Sequence, residues 1–281
     1  MSAPALPAVS TPTAGGSGPR RAPRFAWWYV TEHLLRGMRG YLPTVVATAI
    51  GTPVVYLAVF GIGLGALITE NVAPAGSAAT TYLQFVAPAL LCMSAFALAS
   101  EEFSFGIALH LTWRKVFEGT RATPIASGQI ADGFVAFVAI RMVITAGVYG
   151  AVIAAFGVVP LGAIPALVLT GVLGGLAVSP LAVYAARIQG ESGQFAIVQR
   201  VIILPLTLFS GTLFPLTQLP IFLQPIGWIS PLWHAAELGR FLAFGPSGQW
   251  VAALVHVAVL VAVAAGGWIG LRVVLTRRLE R

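Results

Sequence analysis

Long apolar runs separated by short polar breaks dominate this chain. No charged residue occurs in 40–69, in 71–100, between Arg141 and Arg187, in 201–236 or in 241–271. A helix needs roughly 20 apolar residues, each rising about 1.5 Å, to cross about 30 Å of hydrocarbon. Each run holds at least one such helix, and the run between Arg141 and Arg187 completes one span and holds another, joined by a short turn at 157–160. Six spans are predicted, at about 42–68, 82–99, 130–156, 161–186, 195–213 and 250–275.

Three segments depart from that pattern. In 25–41, Trp27, Val30, Leu34, Met38 and Tyr41 fall on one helical face while Glu32, Arg36 and Arg39 fall opposite. That predicts an amphipathic helix lying in the membrane interface. The stretch 101–129 is too long and polar for a plain turn. The stretch 214–249 is apolar but broken by Pro215, Pro220, Pro225, Pro231 and Pro246. Re-entrant helices fit it best, because irregular backbone at membrane depth must be buried in protein. The predicted fold is therefore an all-α membrane protein: a disordered tail at 1–24, an interfacial helix at 25–41, a transmembrane domain at 42–275 and a basic tail at 276–281.

Composition agrees. Hydrophobic residues are 58% of the chain and charged residues 9%, with mean hydropathy +0.89; a soluble domain carries about 25% charge. The basic residues set the orientation. Arg20, Arg21, Arg24, Arg36, Arg39, Arg114, Lys115, Arg121, Arg187, Arg200, Arg272, Arg277, Arg278 and Arg281 all fall on one side if both termini are cytoplasmic, leaving Arg240 outside and Arg141 within the third span. The positive-inside rule then predicts a multi-pass cell-membrane protein with both termini inside. It also explains the high isoelectric point without a nucleic-acid partner.

Candidate chemistry is sparse. Lys115 is the only lysine and follows no glycine-rich turn, so the chain offers no P-loop for ATP. His33, His110, His234 and His256 are scattered over different segments without ligand spacing, and Cys92 stands alone in an apolar stretch, so no metal site is expected. Ser192 sits in a glycine-flanked turn with no preceding strand, which reads as a turn only. No acidic residue falls near the centre of a span, which weighs against an ion-coupled secondary carrier, the alternative function considered. Arg141 is the one deep charge and should face the bundle interior and pair with something.

Three motifs carry a resemblance. The stretch 113–125, with Trp113, Arg114, Lys115, Phe117, Glu118, Arg121, Thr123 and Pro124, resembles the cytoplasmic segment of ABC-2 type permeases, where a glycine, here Gly133, opens the third span. Stretches 209–220 and 230–240 resemble the end of that family's fifth span and the Pro-aromatic/His-acidic-Arg stretch beyond it. Residues 56–65 are similar to the first span of the lipo-oligosaccharide and drug-resistance subgroup. An acidic residue expected just after Gly133 is replaced by Phe134, and Asp132 precedes it.

The resemblance implies a permease for an amphiphilic, drug-like or lipid-linked substrate. It would act with a second permease chain, identical or paralogous, amid membrane lipid, and with two copies of a cytosolic ATPase that hold ATP and Mg. This chain would carry no cofactor and no catalytic residue. The 113–129 region would be the coupling helix, with Phe117 and Trp113 anchoring in the ATPase and Arg114, Lys115, Glu118, Arg121, Thr123 and Pro124 around them. Glu102 would form an ion pair transmitting the push. Tyr56, Phe60, Phe85, Arg141, Phe209 and Phe214 are implied in the substrate path, and Leu216, Pro220, Trp233, Glu237 and Arg240 in an external gate.

Overall fold

The computed structural model describes residues 23–64, 81–188, 193–245 and 250–280. The predicted tail up to residue 22, the loop holding Glu70 and the turn holding Ser192 lie outside them. Among the described residues the main helices, in chain order, are α1 Ala26–Gly37, α2 Leu42–Phe60, α3 Tyr82–Trp113, α4 Val116–Arg121, α5 Ser127–Ala155, α6 Leu161–Arg187, α7 Gly193–Leu208, α8 Gln224–Ile229, α9 Pro231–Phe244 and α10 Trp250–Leu279.

Five of these, α2, α3, α5, α6 and α10, are long and apolar enough to cross a membrane. The helix expected at 195–213 is shorter. It stops at Leu208, and the chain then turns through Gly211 at φ 66°. The 16 residues of α7 rise about 24 Å, less than the hydrocarbon thickness. Short helices α8 and α9 occupy the proline-broken segment, each starting with proline in its first turn.

Helix α3 is the centre. It packs against α5, α6 and α9, and its apolar window is 67% buried against 17% for α2 and α10. Its inward face mixes large side chains with alanines, and where it meets α6 the contact is close: Ala95 lies against Gly171 and Gly175, and Ala99 against Gly175. Lipid tails are as apolar as leucine, so helices in a bilayer associate through such close packing rather than by escaping water.

The amphipathic stripe of α1 is buried in protein. Val30, Leu34 and Met38 belong to the core, and Thr31 donates to the carbonyl of Gly133 at 2.9 Å. A Cβ on Gly133 would stand 2.5 Å from the Trp27 carbonyl oxygen and 2.6 Å from Val30 Cβ. The large apolar residues left outside are Phe25, Trp28 and Tyr29, beside the exposed His33, Arg36 and Arg39. The expected interfacial face is thus an aromatic one, while the periodic stripe faces α5.

Arg240 shows how the broken segment is held. It is 6% exposed. Its Nε donates to the Phe85 carbonyl at 3.0 Å, Nη2 to the carbonyls of Gly211 and Thr212 at 2.7 and 3.0 Å, and Nη1 to Glu237 at 2.7 Å. The guanidinium also lies 3.8 Å from the Phe85 ring centroid. One side chain therefore satisfies the carbonyls that the non-helical turn leaves open and bolts it to α3.

Two outcomes follow. Arg240→Ala should lower stability by about 3–5 kcal/mol, because it leaves carbonyls and a carboxylate unpaired in an apolar interior; thermal unfolding in detergent measures this. Gly133→Ala should cost about 1–3 kcal/mol by forcing α1 from α5, whereas Gly147→Ala, with open space around it, should be neutral or slightly stabilising.

Candidate functional site

One end of the bundle gathers segments far apart in sequence. Arg278 donates to the carbonyls of Ala186 and Ile188 at 2.7 and 3.1 Å and lies 3.4 Å from the Thr112 hydroxyl. Gln129 Nε2 donates to the Pro23 carbonyl at 2.8 Å. Asp132 accepts from Trp268 at 2.8 Å and pairs with Arg272 at 3.4 Å, tying α10 to α5.

Helix α4 projects at this end. Lys115 takes a left-handed turn, φ 51°, which redirects the chain out of α3 and leaves a helix of only six residues. Trp113, Arg114, Lys115, Glu118, Arg121, Thr123 and Pro124 are exposed around it. Phe117 is not. It is fully buried, its ring 5.7 Å from His110 and 5.8 Å from Phe134. The expected anchor for a partner instead pins α4 to its own bundle, because a six-residue helix cannot hold itself without such a contact. The surface left for a partner is the polar rim and Trp113. Beside it, a groove of about 340 Å³ runs between α4 and α1, lined by Tyr29, His33, Thr120 and Thr123.

Behind α4, α3 changes winding. It becomes π-helical at Glu102–Gly106 and again at Leu109–Trp113. The wider turn frees backbone carbonyls, and polar side chains take them up. Gln199 of α7 donates to the Ser100 carbonyl at 3.1 Å and to the Ser104 hydroxyl at 3.0 Å. Nothing in the sequence marked Gln199 for this role, since its partners lie far along the chain.

Glu102, at the first π turn, pairs with Arg141 of α5. The Glu102 and Arg141 side chains are 16% and 15% exposed, and Arg141 also lies 5.6 Å from the Phe137 ring. The deep arginine and the acidic residue at the foot of α3 were singled out separately; the fold makes them partners. At such burial the pair clamps α3 to α5, since separating it would strand a charge in an apolar interior.

The other sequence-derived positions divide. Tyr56 and Phe60 stack on α2 with centroids 5.9 Å apart. Phe85 lies beneath Arg240, 2% exposed, within the core. Phe209 and Phe214 are half-buried, Pro220 is exposed, and Leu216 is buried against Gly227. Among the gate candidates, Glu237 and Arg240 pair with each other. Trp233 packs edge-on against His234 and His256, whose Nδ1 atoms are 2.8 Å apart. Those two histidines are neighbours only in the fold. Among the described residues no group of three metal-ligating side chains forms, and two imidazoles hydrogen-bonded to each other do not make a site.

Comparison with known proteins places this architecture. The chain is 27% identical to nodulation protein J of Rhizobium leguminosarum bv. trifolii over 197 residues, 69% of this chain and 71% of the relative. It is 26% identical to that of Sinorhizobium fredii over 232 residues, 80% and 84% of the two, and 28% identical to that of Bradyrhizobium diazoefficiens over 192 residues, 67% and 70%. No solved structure matches. Residues 27–244, from α1 through α9, match the family described as ABC-2 type transporter, and the chain belongs to that family.

Proposed function

We propose that this chain is the membrane-embedded permease subunit of an ATP-binding cassette exporter. It moves an amphiphilic, drug-like or lipid-linked substrate out of the cytoplasm or inner leaflet. Two copies of a separate ATPase, which hold the ATP and Mg, power a pair of permease chains. The end carrying α1, α4 and the basic residues faces the cytoplasm, as the positive-inside rule requires. The observation that carries the reading is α4: an exposed polar rim on a short helix locked to the bundle by Phe117. Force applied to that rim reaches Phe134 on α5 directly, and α5 meets α3 through Arg141 and Glu102. ATP-driven closure of the ATPase pair would rock α3 and α5 against each other. The weakly buried faces of α2 and α10 are where lipid and the second permease chain lie.

A secondary carrier would need an acid near mid-membrane free to bind its ion. Glu102 is committed to Arg141, which supports the ATP-driven reading.

Two measurements test it. Glu118→Ala combined with Arg121→Ala should reduce copurification of the cognate ATPase about tenfold, since polar residues set the register of such docking, while the permease's thermal midpoint stays put. Unchanged copurification would refute the docking assignment. Glu102→Gln should destabilise by about 3–5 kcal/mol, and adding Arg141→Gln should recover more than half of that loss because no buried charge then stands alone. Transport by the double variant should stay impaired if the pair transmits motion, and full transport would show it to be a passive clamp.

A further inference from the structure

The proline-broken segment meets the last span through two histidines. Nδ1 of His234 on α9 and Nδ1 of His256 on α10 are 2.8 Å apart, and Nε2 of His234 lies 3.1 Å from the Trp228 carbonyl in α8. The Trp233 ring stands edge-on to both imidazoles, with centroids 4.8 and 5.1 Å away. Toward the loop that joins α9 to α10, Phe241 meets Trp250 edge-on at 5.1 Å. On the seam between these contacts, Leu238 of α9 and Ala253 of α10 are buried.

The geometry settles which nitrogens carry hydrogen. A carbonyl oxygen only accepts, so His234 has its hydrogen on Nε2 and donates it to Trp228. A neutral imidazole has one N–H, so His234 Nδ1 accepts and His256 Nδ1 donates. Nε2 of His256 is then the bare nitrogen, on a half-buried side chain, while His234 is 7% exposed. A first proton enters at His256 Nε2 and disturbs none of these contacts. A second proton has only His234 Nδ1 left to take. Both facing Nδ1 atoms then carry hydrogen, the bond between α9 and α10 is lost, and two cations confront each other across a buried seam.

The surrounding charges do not soften that conflict. On α9 itself, Glu237 and Arg240 hold each other at 2.7 Å. Helix α8 has no charged residue, and α10 has none from Trp250 to Leu271. From α3, the Cys92 thiol donates to the Ala235 carbonyl and the Tyr82 hydroxyl to that of Leu213. On α5, Arg141 pairs with Glu102 and Asp132 with Arg272, both toward the end that carries α4, and Tyr149 packs in the core shared with α2 and α3. On α6, Tyr184 and Arg187 sit in the last turn, at that same end.

We propose that the His234–His256 pair is an acid-sensitive latch between α9 and α10, closed with up to one bound proton and opened by the second. Arg240 keeps α9 bolted to α3, and the Trp228 contact keeps α8 with α9, so the parting runs along the α9–α10 seam. The proposal deepens the export reading and rests on it only for which side of the membrane supplies the acid. The parting itself is a property of this chain alone.

The test uses the full-length permease in lipid nanodiscs, with Cys92→Ala and a single Ala253→Cys reporter on the seam. The reagent is 4,4′-dithiodipyridine, which reacts with thiols in acid as well as neutral solution. Dividing by the rate at the exposed Val251→Cys removes the pH dependence of the reagent. Lowering the pH from about 7.5 to about 4.5, across the ordinary histidine range, should raise the relative rate about tenfold. His256→Asn should abolish the rise, because an amide can turn either its NH2 or its oxygen toward His234 and so keep the bond whether or not His234 is protonated. Should Ala253→Cys fail to fold, Leu238→Cys reports on the same seam. A flat relative rate with both histidines present would overturn the proposal, as would an equal rise in His256→Asn. Loss of ATPase copurification with the acid response intact would sink the export reading and leave the latch standing.

Discussion

The buried pair between Glu102 and Arg141 is the contact on which the working half of this molecule depends. It joins the central helix α3 to α5 where α3 leaves regular α-helical winding for π-helical turns. On one side of it stand the aromatic rings that hold α4. A charge pair in an apolar interior is poor at adding net stability but severe on any arrangement that separates it. It therefore restricts how α3 and α5 can move relative to each other.

The same economy of satisfaction governs both ends. A chain in hydrocarbon can abandon helical winding only where something else takes its backbone carbonyls. Arg240 does this for the turn after α7, and Gln199 does it for the π turn of α3. The irregular segments sit where a polar side chain from another helix reaches them. The broken segment is thus tied into the bundle, with Trp233, Pro220 and Phe214 less buried around it.

Much of this was legible in the residues. Runs without charge located the five long helices, and the 3.6-residue stripe located α1, although the stripe expected to face the membrane interface packs on α5. Gly133, expected by resemblance to open the third span, lies inside α5, which begins at Ser127, and the close approach of α1 explains why it has no side chain. Glu102 and Arg141 were each singled out as charges needing partners. That they need each other was not visible, because the contact spans 39 positions. Long-range partnership also hid the His234–His256 contact and the role of Gln199. Burial misled in the remaining cases. Phe117 and Arg240 look like surface residues by motif and by charge, and both are inside, one held by rings and the other by carbonyls. The span predicted at 195–213 shows the limit of hydropathy alone: the sequence stays apolar after Leu208, but the helix stops there and the chain turns through Gly211.

The central claim is that α4 presents its polar rim, and not its aromatic side, to an ATPase. Site-specific photocrosslinking on the full-length permease, co-expressed with the cognate ATPase in membranes, tests it most directly. A photoreactive residue replacing Glu118 should yield an adduct with the ATPase, and one replacing Phe117 should yield only internal products. ATPase adducts from position 117 and none from position 118 would contradict the account.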